Sequence, residues 1–295
     1  MAMIDLRAVQ EAVRTGKFDN ALVSLVESYR PYGLNFSSIY HSIHADQSIG
    51  LNGRNVLELG GALPSSWVFD FLGASSWTAV ESEIYEQLIP GGNQYLQISA
   101  QEIERPSYSY CSKGIQSFVA QICGTEQAKD HQLPLRFDRV YSVAAFEHIE
   151  NLSAALDACS QICQPGALFY SYFTPIWCAP YGHHLGKYEV PELPPYWHLA
   201  NTPQSAFRYF LKTGHDSSLS QSYVNSIFRN PHINRLTTYD YDLILASSPW
   251  EVLLKRPINR KSLSDLDADT SDAIKFLNPS LSYLCDGYWL VLRLP

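Results

Sequence analysis

The chain has 295 residues, 46% hydrophobic and only 17% charged, a balance that excludes a disordered protein. Its 21 Lys+Arg against 29 Asp+Glu leave a formal net charge of −8, which weighs against a nucleic-acid partner, because holding phosphate backbones needs a basic face. A chain of this length can bury most of its surface in one large α/β domain, or in a domain plus a cap.

In chain order, Phe18, Ala21, Leu22, Leu25, Val26 and Tyr29 recur at helical spacing and end at Arg30-Pro31. With an earlier helix from about Asp5 to Arg14, residues 1–50 read as a helical flank or lid. Asn55 to Leu59 is a short apolar run ending in Gly60-Gly61, a buried strand and a tight turn. Pro64 opens a helix from Ser65 to Leu72, and Trp77 to Val80 forms a second strand ending at Glu81. This βαβ unit implies a parallel sheet. A third strand is expected at Gln94 to Ile98, and a helix at Gly114 to Ile122. Phe137 to Val143 is a fourth strand. Asn151 then caps a helix with Leu152, Ala155, Leu156, Cys159 and Ile162 on one face, and Ala167 to Phe173 is a fifth strand.

Such alternation predicts an α/β fold, a Rossmann-like doubly wound sheet. Residues 51–295 then form one domain with a helical cap inserted at about 175–235. In the cap, Thr202 and Pro203 start a helix that Gly214 ends, and a second runs from Leu219 to Phe228. Trp250 to Lys255 and Tyr288 to Leu294 close the chain as an antiparallel pair at the sheet edge, so the sheet is mostly parallel with an antiparallel C-terminal strand.

The six cysteines are irregularly spaced and form no C-x-x-C pair, so neither a zinc ribbon nor a disulfide framework is expected. MAMIDLRAVQEAVR lacks the order of a signal peptide. Ala158 to Gly186 carries no Asp, Glu, Lys or Arg, but Pro165, Gly166, Pro175, Pro180 and Gly182 break it, so it does not span a membrane. A cytoplasmic protein without a membrane partner is the expectation.

Ligands of open α/β sheets sit at the carboxyl ends of the strands, where strand order reverses. Gly60 and Gly61 let the backbone approach a ligand, and Glu81, 21 residues beyond Gly60, can accept from a ribose diol. Phe137-Asp138-Arg139-Val140-Tyr141-Ser142-Val143-Ala144-Ala145-Phe146-Glu147-His148-Ile149 resembles the strand-four motif of class I S-adenosylmethionine-dependent methyltransferases. Glu58-Leu59-Gly60-Gly61 looks like that family's first motif, and Gln164-Pro165-Gly166-Ala167-Leu168 like the turn before its fifth strand. The resemblance covers about Asn55 to Thr174 and the C-terminal strands. It departs at Ala62 and Pro64, which stand where the family has its second and third glycines, and it gives the adenine no clean acidic partner near Gln101 and Glu102.

The resemblance implies S-adenosylmethionine as cofactor. Glu58, Gly60 and Gly61 would line its methionine end, Glu81 would hold the ribose, and Ser142 would border the transferred methyl. The loop after strand five faces the methyl group in this architecture. Its Trp177 and Tyr181, with Trp197 and His198 soon after, read as the pocket of a small-molecule acceptor, and His183 or His184 as the base that deprotonates it. His148 is a third candidate. The plainer reading of each histidine is ordinary polar structure, and a metal on His183, His184 and His198 with Glu189 or Glu192 fits no standard spacing.

The reaction expected is methyl transfer to a small or medium-sized organic acceptor, at oxygen ahead of nitrogen. The rival readings are a cofactor-free interaction protein on a decayed scaffold, which explains Ala62 and Pro64, and an NAD-dependent dehydrogenase, which the missing G-x-G-x-x-G disfavours.

Overall fold

The computed structural model describes residues 8, 11, 12, 15, 17, 20–27, 34–61, 63–81, 107–111, 114–124, 137–186 and 189–295. The expected strand at Gln94 to Ile98, most of the helix at Asp5 to Arg14, and Ala62, Gln101 and Glu102 lie outside them.

Two helices, α1 (Asn20–Glu27) and α2 (Phe36–Ile49), precede the sheet. The Asn35 side chain starts α2 by accepting from the Ser38 N–H at 2.8 Å, and Gly50, at φ 64°, ends it. The strands β1 (Asn55–Leu59), β2 (Ser76–Val80) and β3 (Tyr108–Cys111) follow, with a short π-helical turn at Trp67–Phe71 after β1. Next come α3 (Gly114–Gly124), β4 (Phe137–Val143), α4 (Leu152–Ile162) and β5 (Cys163–Phe173). As expected, Asn151 caps α4, accepting from the Ala154 N–H at 3.0 Å.

The cap holds α5 (Pro203–Lys212) and α6 (Ser217–Phe228). A further helix, α7 (Thr238–Ser247), joins it to β6 (Glu251–Ile258). The short β7 (Lys261–Ser262), α8 (Ala268–Leu277), β8 (Tyr283–Leu284) and β9 (Gly287–Arg293) complete the chain.

Seven strands pair in the order β3-β2-β1-β4-β5-β9-β6. The first five are parallel, and β9 runs antiparallel between β5 and β6. Strand order reverses between β1 and β4, where Leu59 pairs with Val80 on one side and Ser142 on the other.

Each sheet face has its own core. Leu57, Leu59, Val140 and Phe169 pack against Leu152, Leu156 and Cys159 of α4, and the same cluster runs on through Ile176, Leu193 and Phe210 of the cap. On the other face Val56, Trp77, Tyr141 and Tyr170 pack under Ile39 and Ile43 of α2 and Trp67 of the π-helical turn. The cap therefore shares the core of the sheet. Among the described residues no helix is long and apolar enough to cross a membrane.

Candidate active site

At the reversal point the turn after β1 meets the turn after β4. Gly60 has φ +79°, and a Cβ placed on it would stand 2.2 Å from the Ala145 Cβ. A Cβ on Gly61 would stand 2.9 Å from Glu58 Oε1. Gly60 is therefore required both by its neighbour and by its backbone conformation, while at Gly61 a side chain would have to displace the Glu58 carboxyl.

Glu58 points to the α2 face of the sheet and is 3% exposed. Its Oε2 accepts from the Trp77 indole N–H at 2.6 Å and from the Leu63 N–H at 3.0 Å. Burial pushes its carboxyl up to about 7 against these two bonds, and the nearby Glu81 carboxylate adds to the rise. Glu81 is buried at the end of β2. Its N–H donates to Cys111 O at 2.8 Å and its carbonyl accepts from Gly114 N–H at 2.9 Å, which fixes it beneath the turn between β3 and α3.

Ser142 is fully buried, and its hydroxyl donates to Leu59 O at 3.1 Å. It ties β4 to β1. The amides of the first turn are largely engaged too: Gly60 N–H donates to Val80 O at 2.9 Å, Leu63 N–H to Glu58, and Pro64 has none.

Beyond β4 the chain turns sharply at Ala144, whose φ is 52°. Asn234 holds this turn, its side chain donating to Phe146 O and Ile149 O at 2.6 and 3.1 Å and its own N–H to Glu147 O at 2.9 Å. Nothing in the sequence pattern marks Asn234 for this role. Glu147 is 1% exposed, its Oε2 has no hydrogen-bond partner, and burial pushes its carboxyl up to about 8 against the Glu147 and Thr174 amides.

Four histidines gather between this turn and the loop after β5. The His148 and His184 rings are perpendicular with centroids 5.3 Å apart, and His183 and His198 form a similar pair at 5.3 Å. Backbone partners set their tautomers. His148 Nδ1 donates to His232 O at 2.5 Å, which fixes the proton of the neutral ring on Nδ1. His184 Nε2 donates to Pro175 O, which leaves Nδ1 as the acceptor. His183 Nδ1 accepts from the Leu185 N–H at 3.1 Å, so its proton is on Nε2. His198 Nε2 donates to Trp177 O at 2.7 Å. Burial lowers all four pKa values, His184 to about 4 and His198 to about 3.

The acceptor residues expected from sequence separate here. A cleft of about 290 Å³ is lined by Tyr181, His183, Leu185, Val190, Glu192 and Leu193 among others. Trp177 and His198 instead pack on each other in the core, with ring centroids 4.5 Å apart. Trp197 packs on Tyr209 and Phe210 of α5. Large rings beside a pocket are equally good core material, and sequence does not separate the two uses. Among the described residues no group of three or more His, Cys, Asp or Glu is placed to hold a metal.

The parallel run of five strands, its reversal between β1 and β4, and the inserted antiparallel β9 decide the architecture. The fold is a Rossmann-like doubly wound sheet, mostly parallel with an antiparallel C-terminal strand. No family model and no curated protein matches the chain. Solved structures do match. An S-adenosylmethionine-dependent methyltransferase of Mesorhizobium loti is 14% identical at a TM-score of 0.45, with 86% of this chain and 97% of that one covered. A cyclopropane synthase of Mycobacterium tuberculosis is 13% identical at 0.45, covering 87% and 84%. An O-methyltransferase of Bacillus cereus, solved with S-adenosylhomocysteine, is 12% identical at 0.37, covering 99% and 92%.

Proposed function

We propose that the protein transfers a methyl group from S-adenosylmethionine to a small or medium-sized organic acceptor, at oxygen in preference to nitrogen. The observation that carries this reading is the pair of buried carboxylates, Glu58 and Glu81, at the ends of β1 and β2 beside the Gly60-Gly61 turn. A pyrophosphate needs free amides at this turn. Here two amides are engaged, Pro64 supplies none, and a carboxylate stands in the way. The same arrangement fits a cationic cofactor with a ribose diol, which disfavours the dinucleotide reading.

When bound, the cofactor supplies a methyl group already activated by its sulfonium. The chain's part is to align the acceptor, exclude water and take a proton. In this reading Glu81 accepts from the ribose hydroxyls, and Glu58 presents negative charge to the methionine end. In this reading His148 is the base, its Nδ1 held by the His232 carbonyl and its ring set edge-on to that of His184. His183 offers an N–H donor at the cleft that orients the acceptor oxygen.

The test is to incubate the protein with methyl-labelled S-adenosylmethionine and a panel of phenols, carboxylic acids and amines, and to follow label transfer by mass spectrometry. Labelled ether or ester product supports the reading. A folded protein that neither binds S-adenosylhomocysteine nor transfers label supports the cofactor-free interaction-protein alternative.

A further inference from the structure

Although the chain is acidic overall, Lys255-Arg256-Pro257-Ile258-Asn259-Arg260-Lys261 places four cations within seven residues at the end of β6 and the start of β7. β6 runs in the same direction as β5, so this turn lies at the end of the sheet that carries the candidate active site. It is fastened there. Asp286 N–H donates to Ile258 O at 2.9 Å, and Asp286 O accepts from Ile176 N–H at 2.8 Å and from Thr174 Oγ1 at 3.0 Å, in the loop after β5.

The neighbouring acids are engaged elsewhere. Asp242 holds Lys255, Asp286 accepts from the Asn259 side chain at 2.7 Å, and Asp265 accepts from Ser262 N–H at 2.8 Å. Arg256, Arg260 and Lys261 are exposed, and no carboxylate of a described residue pairs with them. Two of these heads are nonetheless positioned. Arg260 lies over the Tyr283 ring at 4.6 Å, and Lys261 is 5.9 Å from the centre of the Tyr196 ring, whose backbone N–H donates to Pro180 O in the cap.

We infer that Arg260 and Lys261 bind an oxyanion of the acceptor, a phosphate or a carboxylate remote from the methylated atom; Arg256, which pairs with Trp289 on the opposite sheet face, takes no part. The inference rests on the methyl-transfer reading for the word acceptor. From β4 to β6 is three strand spacings, about 14 Å, so the anion and the methyl-receiving atom stand at opposite ends of a medium-sized molecule. Two cations suit a single oxyanion. A nucleic acid would need several more phosphate contacts and would meet the negative charge of the rest of the chain.

Calorimetry on the full chain at constant ionic strength tests this, with inorganic pyrophosphate and tricarballylate as separate probes. The Arg260→Ala/Lys261→Ala variant should bind the preferred probe at least tenfold more weakly. The Arg208→Ala/Lys212→Ala variant, an equal loss of charge on α5, should change less than twofold. Preference for pyrophosphate identifies a phosphate, and preference for tricarballylate a carboxylate. Equal weakening in both variants, or no binding of either probe to the wild type, overturns the inference. S-adenosylhomocysteine titrated into the same samples separates the two claims. Its failure with intact anion binding removes the methyl-transfer reading, and its success without anion binding removes only this one.

Discussion

Gly60 and Ala145 are in contact across the point where strand order reverses: a Cβ on Gly60 would lie 2.2 Å from that of Ala145. The turn after β1 and the turn after β4 are thereby packed directly against each other. Gly60→Ala adds a clash to a backbone at φ +79°. It should cost about 2–4 kcal/mol, the conformation accounting for about 1–2 of this. Adding Ala145→Gly should remove the clash and leave the conformational part. Denaturant unfolding of the single and double variants measures both, and a double variant no more stable than Gly60→Ala would show that the contact is not the cause.

Glu147 predicts a pH dependence of stability. Its folded pKa is raised to about 8, from an ordinary value of 4.5. The folded state therefore holds the proton more tightly, and stability is lost as pH rises from about 4.5 through 8. Glu147→Gln copies the protonated form and escapes this loss. Its effect on unfolding free energy should be more favourable at pH 9 than at pH 5 by on the order of 3 kcal/mol. An effect equal at both pH values would show that Glu147 ionises freely in the folded protein.

For the histidines, tautomer decides the order of effects. His148→Ala should lower turnover by roughly 10²–10⁴-fold, the usual range for a general base. His183→Ala should raise KM more than it lowers kcat, because its Nε2–H only orients the acceptor. The acidic limb of the pH–rate profile should lie below 6.5, since burial lowers the His148 pKa. Full turnover in His148→Ala together with loss in His184→Ala would move the base to His184.

Glu58 links cofactor binding to pH. A cationic ligand beside a carboxyl whose pKa is about 7 draws its proton away, so affinity for S-adenosylmethionine should rise between pH 6 and 8, by about tenfold at most per pH unit below the pKa. Calorimetry in two buffers of different ionisation heat would show the released proton. Constant affinity with no proton released would place Glu58 out of contact with the cofactor.

The parts of the fold legible in sequence are those with local signals. β1, β4 and β5 are short apolar runs, and Asn151 and Thr202 announce the helices they cap. Two elements escaped. β3, Tyr108–Cys111, is only four residues long and partly exposed, so it carries neither an apolar run nor a clear alternation. α7, Thr238–Ser247, shows no apolar stripe, although the reciprocal cap between Thr237 and Asp240 was there to be read.

Within the candidate site, the positions of Glu58 and Glu81 were legible because strand ends are. The histidine tautomers were not, because Pro175, His232 and Trp177 set them through backbone carbonyls that only the fold brings near. Burial was equally hidden: Trp177 and His198 look like pocket residues in sequence and pack as core.

The most direct measurement is calorimetric titration of the full chain with S-adenosylhomocysteine and with NAD. The account predicts one site for S-adenosylhomocysteine and none for NAD. It also predicts that Glu81→Ala, with its thermal melt intact, binds about 2 kcal/mol more weakly, the size of a hydrogen bond to a charged group. NAD binding without S-adenosylhomocysteine binding, or an unchanged affinity in folded Glu81→Ala, would contradict it.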